Sequence, residues 1–99
     1  MKIEFSLNEA KEIAKSLNIN FESTAFDLEE FHKGLNTELE HGTIDPETNI
    51  TNDNPIITGK IALTHLNEIP DYYYRLSEME SEAKDFWEQQ ETGEFREAE

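Results

Sequence analysis

Apolar residues recur at helical spacing in several segments of the chain. In the first segment they are Leu7, Ala10, Ile13, Ala14 and Leu17. Intervals of three and four residues place such side chains on one side of a helix. Ser6 followed by Glu9 matches the capping box that starts many helices. The pattern therefore predicts an amphipathic helix over residues 7–17.

A second segment repeats the same signature. Asp27 with Glu30 forms another capping-box pattern. Apolar residues again follow at helical spacing, namely Leu28, Phe31, Leu35 and Leu39. Gly42 directly follows His41 and suits the C-terminal cap of this second helix.

Residues 43–57 lack this periodicity. They contain two prolines, three asparagines and three threonines, which predicts a long loop. A third helix is predicted from about 58 to 69, where Pro70 stops it. Pro70 and Asp71 then suit the first turn of a fourth helix.

The fourth helix carries its own apolar stripe, formed by Tyr72, Leu76, Met79, Ala83, Phe86 and Trp87. We therefore predict an all-α fold, a small four-helix domain with a long loop (about 43–57) between the second and third helices. Residues 1–88 form its single helical domain, and residues 89–99 are expected to be an acidic, frayed tail.

Charge narrows the range of functions. The 99 residues include 8 basic and 23 acidic ones, for a net charge of −15. Such a surface repels nucleic acid and anionic membranes, and no apolar run is long enough to cross a bilayer. We expect no direct nucleic-acid binding and no membrane association. There is no cysteine, which agrees with a cytoplasmic location.

Two histidine–carboxylate pairs are the clearest candidate chemistry. Glu38 precedes His41 by three residues, and His65 precedes Glu68 by three. That spacing puts both members of a pair on neighbouring parts of one helix face. Packed together, the four side chains form either a site for a divalent metal or a hydrogen-bonded network between helices.

Both interpretations remain open. Helical di-iron proteins use Glu-x-x-His on two helices with two further glutamates, whereas the second pair here is reversed. In the network interpretation, the hydroxyl groups of Tyr72 and Tyr73 take part. His65 falls inside the apolar face of the third helix, so we expect it to be mostly buried and hydrogen-bonded.

The fourth helix also predicts an acidic surface. Glu78, Glu82, Asp85 and Glu88 lie along one side of it, opposite the apolar stripe. They form either a solvated face that keeps the protein soluble or a surface that binds a basic protein. Their rise, on the order of 5–6 Å between successive charges, is comparable with phosphate spacing in nucleic acids.

The chain resembles an uncharacterised family of short acidic bacterial and phage proteins, a domain of unknown function. The resemblance spans residues 31–80. It is carried by Glu38-Leu39-Glu40-His41-Gly42, Thr58-Gly59-Lys60-Ile61-Ala62-Leu63, His65-Leu66-x-Glu68-x-Pro70-Asp71-Tyr72-Tyr73-x-Arg75-Leu76 and Met79-Glu80. The resemblance implies a bacterial cytosol or a phage-infected host, and it implies no activity.

The sequence contains no nucleophile elbow and no glycine-rich phosphate loop. The leading hypothesis is therefore a non-enzymatic acidic protein that binds a basic protein surface, such as a phage accessory or anti-defence factor that imitates nucleic acid. The alternative is a small helical metal-binding protein that uses the His/Glu site.

Overall fold

Four α-helices make up the architecture. The computed structural model of the protein describes residues 1–92, with the side chains of residues 1–90. Its elements are α1 (Leu7–Ser16), α2 (Leu28–Glu38) with a 3₁₀ turn (Leu39–His41), α3 (Pro55–Glu68) and α4 (Tyr72–Thr92). The predicted all-α fold is confirmed, with residues 42–54 connecting the second helix to the third. The predicted acidic tail overlaps α4 over residues 89–92, and its remainder, 93–99, lies outside the described residues.

Both predicted capping boxes are present. The hydroxyl of Ser6 accepts a hydrogen bond from the Glu9 amide at 3.1 Å, and the Glu9 carboxylate accepts from the Ser6 amide at 2.8 Å. Asp27 and Glu30 exchange the same two bonds at the start of α2. Each box satisfies amides that have no partner within the helix, so these helices start where their sequences indicate.

Helix α3 starts three residues before the predicted position 58. The Asn54 side chain accepts hydrogen bonds from the amides of Ile56 and Ile57. Pro55 occupies the first turn, where its lack of an N–H group does no harm. Asn54-Pro55 is therefore a helix start, although its composition resembles that of the preceding loop.

The connection between α2 and α3 is held by its own polar side chains. The Asp53 carboxylate accepts hydrogen bonds from the Thr43 amide, the Thr43 hydroxyl and the Lys2 amide at 2.6–2.9 Å. It thereby ties both ends of the loop to the N-terminal segment. Gly42 lies beside these hydrogen bonds, and a Cβ atom there would clash with an oxygen of Asp53.

The core forms around α2, which contacts α1, α3 and α4. Its fully buried side chains include Phe31, Leu35, Leu39 and Leu66. Two glycines allow the helices to approach closely. A Cβ atom on Gly59 of α3 would lie 2.8 Å from Ile13 of α1, and one on Gly34 of α2 would lie 2.6 Å from the Tyr73 ring.

Helix α4 departs from the predicted packing. Its first turns pack on the core through Tyr72, Tyr73 and Leu76. Every residue from Ser77 to Gln90 is exposed. The second half of the predicted apolar stripe therefore does not join the core, because the other three helices already bury one another's apolar faces.

We predict that the hydrogen bonds accepted by the Asp53 carboxylate stabilise the protein in a pH-dependent way. Hydrogen bonds from Thr43 and Lys2 lower the pKa of Asp53 from 3.8 to about 2. Because the folded-state pKa is the lower one, this stabilisation is present above pH 3.8 and is lost as the pH falls towards 2. Asp53→Asn should lower the melting temperature at pH 7, and the difference from wild type should shrink across that interval.

Asparagine tolerates the left-handed backbone at position 53, where φ is 60°, so the change tests the charge rather than the turn. Asp45→Asn, in an exposed part of the same loop, serves as the control and should change little. An Asp53→Asn effect of equal size at pH 7 and pH 2 would contradict the assignment.

Candidate functional site

Glu38 is the centre of the predicted His/Glu cluster. It is the last residue of α2 and is only 4% exposed. The Tyr73 hydroxyl donates a hydrogen bond of 2.6 Å to its Oε2 atom. Burial, and then the bond to Glu38, raise the pKa of Tyr73. The phenol therefore remains a hydrogen-bond donor and joins α4 to α2.

Two histidines flank this carboxylate. His41 Nε2, from the 3₁₀ turn, lies 3.6 Å from Glu38 Oε1. His65 Nε2, from α3, lies 3.7 Å from Glu38 Oε2. Each distance allows an ion pair when the imidazole is protonated. Three elements thus direct polar groups at one buried carboxylate.

His65 differs from its predicted environment. Its side chain is 31% exposed, and its ring stacks on Tyr72 with centroids 4.3 Å apart and planes within 5°. Its Nδ1 atom is buried without a hydrogen-bond partner and lies 3.8 Å from Glu68 Oε1. The expected burial of His65 is found over about two thirds of its side chain, whereas the expected hydrogen bond is absent. Stacking on Tyr72, rather than hydrogen bonding, orients the ring.

The predicted neighbourhood is centred on Glu38, and we call Glu38, His41, His65, Tyr72 and Tyr73 the Glu38 cluster. His41, His65 and Tyr73 all approach Glu38, whereas Glu68 is exposed and reaches the cluster only through His65. Among residues 1–90, no three histidine, aspartate or glutamate side chains are arranged to hold a metal ion. The Tyr73 bond and the Tyr72 stack give the cluster a role in joining α2, α3 and α4.

The predicted acidic surface lies on the exposed part of α4. Glu78, Glu82, Asp85 and Glu88 are all exposed, and Arg75, one turn before Glu78, interacts with it electrostatically. We call these four residues the acidic face. Residues 77–90 hold five acidic residues and a single lysine, so the charge of this segment is not neutralised locally.

An exposed apolar set shares this segment with the acidic face. Met79 is 59% exposed and Trp87 is 62% exposed. Trp87 also makes an edge-to-face contact with Phe86, with centroids 4.9 Å apart. Helical periodicity alone predicts that these residues form one stripe. It does not show that packing on the core ends at Leu76, which leaves Met79 and Trp87 on the surface.

The comparisons place the chain in a family. The model for a protein family of unknown function, DUF5661, matches residues 10–82. The chain belongs to the DUF5661 family. The match covers the Glu38 cluster and ends at Glu82, so Asp85, Trp87 and Glu88 lie beyond it. Comparisons with curated proteins and with solved structures give no match. In the described part of this DUF5661 chain, no helix has the length and apolar character needed to span a membrane.

We predict that Tyr73→Phe destabilises the fold by about 1–3 kcal/mol, the penalty for leaving a buried carboxylate without its donor. Tyr74→Phe is the matched control, because Tyr74 is the next residue and is exposed. Chemical denaturation of both variants measures the difference. Equal stability of the two variants would show that the bond to Glu38 contributes nothing.

Proposed function

We propose that the protein is a non-enzymatic binding protein that engages a basic protein surface through the acidic face of α4. The observation that carries the proposal is the exposure of α4 from Ser77 to Gln90. This segment extends beyond the core at an approximate length of 21 Å, from a rise of about 1.5 Å per residue. A partner can therefore contact it without disturbing the packed helices.

The charge of the segment supports a basic partner. Glu78, Glu82 and Asp85 recur at intervals of three and four residues, so their carboxylates lie side by side on the helix. The net charge of the whole chain, −15, adds a long-range attraction that guides a cationic surface towards the protein. The same charge opposes contact with nucleic acid or an anionic membrane.

Proteins that bind nucleic acid are one class of partner with the required surface. The carboxylates of the acidic face succeed one another at intervals of about 4.5–6 Å along the helix axis, close to the distances between phosphates. A basic groove that accepts a phosphate backbone has the charge to accept this helix. An accessory or anti-defence factor would act by occupying such a groove.

The contacts of the Glu38 cluster favour a structural role for it, rather than a role in binding a partner. Tyr73 already occupies one oxygen of Glu38 with a 2.6 Å bond, and His65 is stacked on Tyr72. These contacts stabilise the junction from which α4 extends. Binding is therefore proposed at the exposed segment of α4, and the cluster keeps that segment in place.

We predict that Glu78→Lys, Glu82→Lys and Asp85→Lys together abolish binding to a basic partner and leave the fold intact. The protein is immobilised, exposed to a lysate of the cells that encode it, and washed at increasing salt. Captured proteins are identified by mass spectrometry. A partner of high isoelectric point should be retained at about 0.05 M salt and released near 0.5 M, because salt screens exposed charges.

The control is Glu4→Lys, Glu12→Lys and Glu22→Lys, which changes the net charge equally at three exposed positions outside α4. This variant should keep most of the binding. Retention of the same proteins by both triple variants would show non-specific charge attraction. Failure of the wild-type protein to retain any basic protein would overturn the proposed function.

A further inference from the structure

We propose that a groove beside α1 binds a small primary amine with an apolar chain, and that the Lys2 side chain is the occupant that this amine displaces. The groove lies between the N-terminal segment, the first turns of α1 and the start of α3. Its volume is about 350 Å³, within the range of about 300–1,000 Å³ that is common for small-molecule sites. It is lined by residues between 2 and 55, so the inference does not depend on the proposed binding through α4.

The groove combines an apolar wall with negative charge. Phe5 and Ile13 contribute to the wall, and the lining carries three carboxylates against one ammonium, namely those of Glu9, Glu12 and Asp53 against that of Lys2. Small-molecule sites are mostly apolar and use a few polar groups to orient the ligand. The sign of the charge therefore favours a ligand with an apolar body and a positive end.

The position of Lys2 indicates which positive group fits. Its Nζ atom lies 2.7 Å from Glu9 Oε2 and 5.0 Å from the centroid of the Phe5 ring. An ammonium within about 6 Å of an aromatic face is attracted by the ring. The groove thus already holds an alkylammonium group, which the chain itself supplies. A free amine of the same chemistry competes for the same two contacts.

The Lys2 side chain can move aside without disturbing the wall. It is 34% exposed and that of Glu9 is 47% exposed, and ion pairs at such positions contribute little to stability. The backbone is held separately. The Lys2 amide donates to Asp53 at 2.8 Å, and the Phe5 amide donates to the Asn36 side chain at 2.6 Å. The N-terminal segment therefore keeps its place when the Lys2 ammonium leaves.

Two carboxylates are then available to the ammonium of the ligand. The Ser6 amide donates to Glu9 Oε1, which orients this carboxylate, and Oε2 is released by Lys2. Glu12 lies three residues further along α1, on a neighbouring part of the same face, and has no hydrogen-bond or ion-pair partner within residues 1–90. Asp53 already accepts three hydrogen bonds. Because hydrogen bonds between two charged groups are stronger than neutral ones, the groove should prefer an amine to an alcohol.

Titration of the whole chain with hexylammonium chloride, followed by ¹H–¹⁵N NMR spectroscopy, tests the site. Shifts should concentrate on Phe5, Glu9 and Ile13, with NOEs from the ligand methylene protons to the Phe5 ring. 1-Hexanol has the same chain without the charge and should bind at least about tenfold more weakly. Methylammonium has the charge without the chain and shows the pattern of general attraction to an acidic protein. Equal affinity for hexanol, or hexylammonium shifts scattered like those of methylammonium, would overturn the inference.

Matched variants test the role of Lys2. Lys2→Ala should tighten hexylammonium binding by at least about threefold, because the ligand no longer competes with an internal occupant. Glu9→Gln should weaken it by at least about fivefold, while glutamine preserves the capping box. Glu22→Gln removes the same charge at an exposed position outside the groove and should change the affinity by less than about twofold.

The gain expected for Lys2→Ala cannot arise from unfolding, so it remains decisive even if Glu9→Gln weakens α1. An unchanged affinity in Lys2→Ala would contradict the assignment of Lys2 as the occupant. Equal losses in Glu9→Gln and Glu22→Gln would show attraction to the net charge of −15 rather than a site. Failure of the charge-reversed α4 variant to bind a basic protein bears only on the proposed function, since it changes none of these residues.

Discussion

The hydrogen bond from Tyr73 to Glu38 determines where α4 leaves the core. It joins a buried carboxylate at the end of α2 to the first turn of α4. Gly34 allows the Tyr73 ring to approach, because any larger residue would place an atom 2.6 Å from it. Few other contacts hold this helix, since its residues pack on the core only as far as Leu76. The position of the exposed segment therefore depends on the first turns of α4, where the Tyr73–Glu38 bond acts together with the packing of Tyr72 and Leu76.

The three packed helices and the exposed part of α4 contribute different properties to the protein. Helices α1, α2 and α3 bury one another's apolar faces around Phe31 and Leu35, and this packing stabilises the fold. The exposed part of α4 adds charge and apolar surface without adding packing. Charge complementarity mainly accelerates encounter with a partner, whereas buried aromatic contacts mainly slow dissociation. The acidic face and the exposed Trp87 ring lie on the same helix.

Local signals in the sequence were sufficient for much of the fold. The capping boxes at Ser6 and Asp27 and the periodic apolar stripes correctly predicted α1 and α2, because they depend on residues close together in the chain. The start of α3 was misplaced since asparagine and proline occur in both loops and helix starts. Here Asn54 and Pro55 form a helix start.

Features that depend on distant contacts were harder to predict. The two motifs correctly indicated that His41 and His65 would meet near Glu38, but the burial of Glu38 follows from how Tyr73 packs against α2. Stacking of His65 on Tyr72 has no periodic signature. A helical stripe also cannot show which of its residues meet the core, so Met79 and Trp87 looked like core residues.

The central claim is that α4 beyond the Tyr73 junction is the docking surface. Hydrogen–deuterium exchange of the protein, free and bound to its basic partner, tests this claim most directly. The account predicts that new protection is concentrated in peptides from residues 77–90, with α1, α2 and α3 nearly unchanged. Protection centred instead on the Glu38 cluster or on the 42–54 connection, with residues 77–90 unaffected, would contradict it.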